Sequence, residues 1–187
     1  MNKLMFCIAA TLTFFSSAIL AQNASGEVKK WGIEAEFVQP FLPTINIIRI
    51  QGTYMLTAPE RKMRGDLIFG AYIRPNVKHD VVEKINEYMA VIGYRQYFWK
   101  GLHLELKSNM GYAWGTKNLI DGKDYNTPTW FYEPNIGYKF DFAKKQKSNL
   151  YATAQFGVIG NLIGDIGPRG GKPDVFPQGN LLIGVNF

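Results

Sequence analysis

Between Leu102 and Trp114 the chain places an apolar side chain at almost every second position. Leu102, Leu104, Leu106, Met110, Tyr112 and Trp114 alternate with His103, Glu105, Lys107, Asn109 and Gly111. Residues two apart share one face of a β-strand, whereas the 3.6-residue period of a helix would scatter Glu105 and Lys107 onto different sides. The segment therefore predicts a strand with one apolar and one charged face. From Trp130 to Phe142 the pattern recurs, with Trp130, Tyr132, Ile136, Tyr138, Phe140 and Phe142 opposed to Glu133, Asn135, Gly137, Lys139 and Asp141. Pro134 falls in the apolar phase and predicts a bulge or an irregular pairing, because it cannot donate to a ladder.

Six more segments carry the same period: Lys30 to Gln39, Asn46 to Thr57, Gly65 to Arg74, Tyr88 to Phe98, Leu150 to Asn161 and Leu181 to Phe187. In the first, Trp31, Ile33, Ala35 and Phe37 oppose Gly32, Glu34 and Glu36. In the third, Ile68 and Tyr72 blur the contrast. The last sets Leu181, Ile183, Val185 and Phe187 against Leu182, Gly184 and Asn186, and it ends the chain on an aromatic residue. That ending resembles the terminal strand of bacterial outer-membrane β-barrels, which typically stop on an aromatic side chain.

The amino-terminal end agrees with an exported protein. Lys3 precedes an apolar run from Leu4 to Leu20, and Ala21 stands before polar Gln22 and Asn23, which is the layout of a secretory signal peptide over residues 1–21. A membrane anchor helix is the rival reading of a run this long, but Thr11, Thr13, Ser16 and Ser17 dilute it. Cys7, the only cysteine, lies inside this segment, so the mature chain has no thiol to form a disulfide or a thiolate metal site. Residues 22–187 then form one domain. In such a barrel lipid-facing and lumen-facing residues alternate, so mean hydropathy hides the membrane signal.

Connection lengths set the predicted orientation. Connections near Pro59 to Arg64, Trp99 to Gly101 and Lys144 to Ser148 are short, whereas Val77 to Glu87, Gly115 to Thr129 and Gly164 to Pro177 are long. Short periplasmic turns with long outer loops are the habit of single-chain outer-membrane barrels. Only the first outer connection, near Pro40 to Pro43, is brief. At one inner turn Phe98 is predicted to pair with Leu102 across Trp99, Lys100 and Gly101, with Gly101 in the left-handed conformation. The same register sets Arg95 opposite Glu105.

Two architectures accommodate eight alternating strands: a soluble barrel with apolar residues inside, and a membrane barrel with them outside. The polar phase collects Glu34, Glu36, Arg49, Arg95, Glu105, Lys107, Glu133 and Lys139, a set of mixed sign suited to an interior ion-pair network. In the apolar phase, aromatic residues gather at strand ends: Trp31, Phe98, Phe140, Phe142 and Phe187 at the inner end, and Trp114, Trp130 and Tyr132 at the outer end. Two aromatic girdles are what membrane interfaces favour. The reading is an all-β, eight-stranded antiparallel up-and-down transmembrane β-barrel of the bacterial outer membrane.

Eight strands enclose a bore that side chains can fill. A buried ion-pair plug is the first reading of the polar phase, and a narrow polar pore or proton path is the alternative. Some eight-stranded outer-membrane barrels are lipid A deacylases or acyltransferases that use a serine activated by histidine and an acid. Here Glu105 stands two residues after His103, where the deacylase pattern has serine, and Ser108 is in the opposite phase. His103 therefore reads as an interior hydrogen-bonding residue, and His79 beside Asp80 as a surface one. No phosphate-binding glycine loop, zinc spacing or calcium loop is present, and Asp121-Gly122-Lys123-Asp124 reads as a turn, so neither a metal nor a cofactor is implied. The formal charge of +6 owes much to bases at the inner end: Lys29, Lys30, Arg61, Lys62, Arg64, Lys100, Lys144, Lys145 and Lys147. Nucleic acid does not suit a secreted barrel, and these bases suggest contact with anionic phospholipid headgroups. The resemblance further implies lipopolysaccharide as a neighbour and the barrel-assembly machinery as a partner of the C-terminal strand. It specifies architecture rather than activity; the first reading of function is a structural or surface-interaction role, with a lipid A-modifying enzyme or a small-solute channel as alternatives.

Overall fold

A computed structural model describes residues 29–57, 63–78, 80–142, 149–164 and 175–187. The leader, Cys7, His79, the bases Arg61, Lys62, Lys144, Lys145 and Lys147, and the stretch from Gly167 to Pro173 lie outside the described residues. The described chain is all-β, in eight strands: β1 (Trp31–Glu36), β2 (Ile48–Met55), β3 (Gly65–Val77), β4 (Val82–Trp99), β5 (Leu102–Asn118), β6 (Tyr125–Asp141), β7 (Leu150–Ile163) and β8 (Val175–Asn186). Each pairs antiparallel with its sequence neighbour, and β8 returns to β1 from Gly32↔Asn186 to Glu36↔Leu182, closing a barrel.

Alternation decides which side chains enter the bore. Leu104, Leu106 and Ile136 are 52, 58 and 51 % exposed, while Glu105 and Lys139 are 3 and 4 % exposed. The charged phase is inside and the apolar phase outside, the inverse of a soluble barrel. Ile68 and Tyr72, which blurred the pattern of β3, both point inward and are buried.

Several boundaries differ from the sequence reading. β4 starts at Val82 and β5 continues to Asn118, with Lys84 opposite Thr116, so the connections predicted at Val77 to Glu87 and Gly115 to Thr129 shrink to residues 78–81 and 119–124. Polar composition there marks solvent on the outward face and does not end pairing. The first connection is longer than the brief one predicted near Pro40, because β1 stops at Glu36 and a 3₁₀ turn covers Gln39–Phe41. At this seam the last backbone bond runs from the Phe37 N–H to the Leu181 carbonyl at 2.8 Å, and side chains then supplement the ladder: Glu36 Oε1 accepts from the Leu181 N–H at 3.1 Å, and Gln39 Nε2 donates to the Gly179 carbonyl at 3.0 Å. Leu181, Gly179 and Pro177 turn their backbone groups to the same side. Pro177, absent from the sequence-predicted last strand, thus puts its missing N–H on an edge that no strand covers.

Of the bulge or irregular pairing predicted at Pro134, the second is found: the β6–β7 ladder is interrupted at Glu133 and Pro134 and resumes in the same register from Tyr132↔Gly160 to Asn135↔Gly157, while the register shift falls at Trp130/Phe131. Gln178 Nε2 reaches to 3.5 Å from the Val158 carbonyl, the acceptor that Pro134 leaves without a strand donor. At the β4–β5 turn Trp99, not Phe98, pairs with Leu102, with a register shift between Tyr97 and Trp99. Lys100, with φ of 49°, takes the left-handed conformation assigned to Gly101. Gly101 serves close approach instead: a Cβ there would sit 2.0 Å from the Lys139 carbonyl oxygen. Gly101→Val should therefore lower stability by about 1–3 kcal/mol by overpacking, and Lys100→Gly should raise it by about 1 kcal/mol by relieving the left-handed strain. Urea unfolding of the refolded protein, followed by tryptophan fluorescence, reads both.

Candidate functional site: the filled lumen

Both ends of the charged phase on β5 are held by neighbours in register: Arg95 on β4 faces Glu105, and Glu133 on β6 faces Lys107. From these cross-strand pairs a chain of contacts leaves the wall and crosses the bore. Arg95 Nη2 lies 2.6 Å from Glu34 Oε1 on β1, and its Nε lies 2.6 Å from Glu105 Oε2. Lys107 Nζ bridges Glu105 at 2.9 Å and Glu133 at 3.4 Å, and Arg49 on β2 reaches Glu133 at 2.6 Å. The result is an unbroken sequence of alternating sign, Glu34, Arg95, Glu105, Lys107, Glu133, Arg49, with every member buried. Neutral groups complete it: Gln51 Nε2 donates to Glu34, and Asn109 Nδ2 donates to Glu133 at 2.7 Å.

Glu36 and Lys139 stand apart from this sequence, contrary to the eight-member network predicted. Glu36 is taken up by backbone N–H groups at the seam, those of Leu181 and Val38. Lys139 Nζ lies 3.6 Å from the centroid of the Tyr151 ring and 3.4 Å from Asn186 Oδ1. The ring face and the amide oxygen are its direct contacts, and no carboxylate lies within ion-pair distance of it among the described residues.

Further ionic pairs bracket the network. Arg64 grips Asp66 in a two-point contact, Nε–Oδ1 at 2.9 Å and Nη2–Oδ2 at 2.6 Å, with its guanidinium 4.6 Å above the Tyr97 ring. Arg74 meets Glu87 at 3.5 Å towards the opposite end. Asp66 was visible in the polar phase of β3, but its partner precedes the strand, and Glu87 sits in a stretch whose polarity read as loop.

Above the charged layer the bore turns apolar. Ile47, Tyr72, Met89 and Val91 are buried together, with Ile45 and Phe131 packed against them, so the connection after β1 closes over inward side chains of β3, β4 and β6. A second group, Val77, Val82, Ile85 and Ala113, fills the extension beyond. These apolar lumen residues lack a sequence signal of their own, because alternation identifies a face and not which face is enclosed.

His103 is buried, with Nδ1 2.9 Å from the Gly101 carbonyl and Nε2 3.1 Å from Gln155 Nε2. The carbonyl requires a proton on Nδ1, which leaves Nε2 to accept from the Gln155 amide. Ser108 is on the outer surface, where it accepts a 2.7 Å hydrogen bond from Trp130 Nε1. The two side chains belong to opposite faces and cannot form a nucleophile–base pair. In the turn after β5, Asp121 accepts from the Tyr125 hydroxyl and from the Lys123 N–H, and Asp124 accepts from the Lys117 N–H at 2.7 Å. The Tyr125 hydroxyl, foremost among these contacts, holds the Asp121 carboxyl below the ordinary aspartate value. Among the described residues no group of three or more His, Cys, Asp or Glu side chains could hold a metal ion.

The outer surface carries the aromatic residues of the sequence reading. Trp31, Phe98, Phe140, Phe142, Phe187, Trp114 and Trp130 are exposed, and Tyr132 is half-buried with its ring against Gly160. Trp99 was missed. The register shift before it leaves its ring on the outer side, 61 % exposed beneath Lys100 Nζ at 4.8 Å. Comparisons with protein-family models, with curated proteins and with solved structures found no match to this chain.

Arg95 bridges two acids on different strands, so Arg95→Ala should cost about 3–5 kcal/mol by stranding both. Glu36→Gln keeps an acceptor for the seam N–H groups and should cost about 1 kcal/mol or less. Urea midpoints of the two variants, measured side by side, give the contrast.

Proposed function

We propose that this chain is a β-barrel of the bacterial outer membrane, with a structural or surface-interaction role rather than a transport or catalytic one. The observation that carries the reading is the inverted wall: a continuous ion network within, an apolar surface without. Water would not select such a surface, since large contiguous apolar patches on a soluble protein invite association. A closed sheet, by contrast, pairs its backbone groups internally and can face hydrocarbon. On β4 the outward phase from Tyr88 to Phe98 is apolar except at Gln96, whose amide is taken up by the Tyr94 hydroxyl and the Arg64 carbonyl. Ten steps of ~3.3 Å at a tilt of ~40° make about 25 Å, the height of the apolar band of such barrels. Exposed aromatic residues lie at its two ends, at Trp114 and Trp130 on one side and at Trp31, Trp99 and Phe140 on the other.

The filled bore supports a scaffold role. Side chains of β1, β2, β4, β5 and β6 meet across it, and the apolar group of Ile47, Tyr72, Met89 and Val91 stands behind them. The commitments of His103 and Ser108 favour no lipid A-modifying chemistry. With the termini placed in the periplasm, the extensions of β4, β5 and β6 stand outside the cell, where surface contacts are made. Lys30 and Lys100 are exposed at the periplasmic end and available to phospholipid headgroups, whereas Arg64 is committed to Asp66. In the same reading β8, ending at Phe187, is the strand offered to the barrel-assembly machinery.

A lipid-facing charge separates membrane from soluble barrel. Leu106→Arg, near the middle of the band, should destabilise the protein in lipid vesicles by about 2–4 kcal/mol; on a water-facing surface it would be close to neutral. The unmodified protein should fractionate with outer membranes, migrate faster on gels before boiling than after it, and give no discrete conductance steps in planar bilayers. Equal migration before and after boiling, together with a neutral Leu106→Arg, would refute the proposal, and steady single-channel steps would replace the scaffold role with a pore.

A further inference from the structure

The hairpin of β5 and β6 rises past the apolar band, and its outward face changes character over two rungs. Met110 stands opposite Trp130 and Tyr112 opposite Pro128, then Trp114 stands opposite Asn126. One step further, Thr116 and Asp124 are both exposed. The Trp114 indole is fixed from below: the Tyr88 ring meets it edge-on at 5.5 Å, and the Tyr112 ring lies at 5.8 Å. It remains 41 % exposed. Trp114, Gly115, Thr116, Asp124, Tyr125 and Asn126 line an open-sided cleft of about 240 Å³, large enough for one pyranose ring.

The cleft combines a fixed aromatic plane with a hydroxyl, an amide and a carboxylate, and no cation lines it. Such a plane accepts the C–H face of a sugar, while the polar groups exchange hydrogen bonds with its ring hydroxyls. A few convergent polar groups beside an aromatic floor are the ordinary make-up of a small-ligand site. Asp124 and Tyr125 are themselves anchored, through the Lys117 N–H and the Asp121 carboxylate, so the cleft wall is pre-formed. A phosphate or carboxylate ligand would meet Asp124 with no lining base to offset it.

We propose that this cleft binds a pyranose sugar of the carbohydrate borne by the outer leaflet. The proposal rests on the membrane reading above, which puts the cleft one rung beyond the outer aromatic residues, level with headgroup sugars.

The test uses the full mature chain refolded in detergent micelles, with a neutral hexose oligosaccharide of the lipopolysaccharide outer core as the probe. Saturable shifts of the Trp114 indole N–H resonance are expected, with the Trp130 indole unmoved. Trp114→Ala should weaken binding about 30-fold, as loss of an aromatic anchor does, and Trp114→Phe should restore most of it. Asn126→Ala, at an exposed position that leaves the wall intact, should weaken it about tenfold. Absence of a saturable shift, or undiminished binding by both alanine variants, overturns the assignment. If the gel shift on heating persists while the oligosaccharide fails to bind, the cleft alone is refuted; if the gel shift is absent and Leu106→Arg is neutral in vesicles, the membrane reading fails with it.

Discussion

Arg95 is held at once by Glu34 on β1 and by Glu105 on β5, strands that do not touch in the wall. A guanidinium sealed from water is tolerable only when its donors find acceptors, and the carboxylates need it as much. This mutual need ties the register of several ladders together. A slip of one residue in any of them would swing its charges out to the apolar side and its leucines into the bore. Glu105 and Lys107 are two positions apart on one strand, so the same step that places one places the other. The ion sequence therefore acts as a lock on register.

Above that lock the continuous ion sequence gives way to an apolar filling in which Arg74 and Glu87 are the ion pair that remains, and the change follows from who can supply partners. Near the termini, strands meet with acids and bases at matched heights. Further out, β1 has left the sheet after Glu36, and the chain that follows it brings Ile45 and Ile47 over the opening. With fewer strands to present counter-ions, apolar packing against Tyr72, Met89 and Val91 is the available way to exclude water. The two layers thus divide the bore by the local supply of neighbours.

Much of this was legible in the residues. The alternation of β5 and β6 required a two-faced strand, and Arg95 opposite Glu105 followed from parity at a tight turn, even though the turn itself is one residue shorter and uses Lys100 for its left-handed step. What resisted reading shares a physical cause: sequence pattern reports polarity, whereas boundaries depend on pairing. Glu83, Lys84 and Thr116 looked like loop because they face water, yet they lie in or beside a continuing ladder. Pro134 looked like a break, but its missing donor can be offset by a side chain from the next strand but one. Glu36 and Lys139 carry charge on the inner face, and only the three-dimensional neighbourhood reveals that backbone amides and the Tyr151 ring serve them in place of ions. The cleft at Trp114 could not be foreseen at all, since it depends on how far the β5–β6 hairpin runs past the end of β7, which pairs with β6 no further than Trp130.

The seam between β1 and β8 differs in kind from the other joints. Its lower part is ordinary ladder, down to the reciprocal bonds of Trp31 with Phe187, but its upper part is held by the side chains of Glu36 and Gln39. The strands it joins are also the farthest apart along the chain, so their meeting loses the most chain entropy and comes after the local hairpins. The glutamate and the glutamine form the clasp at the joint whose closure costs the most chain entropy.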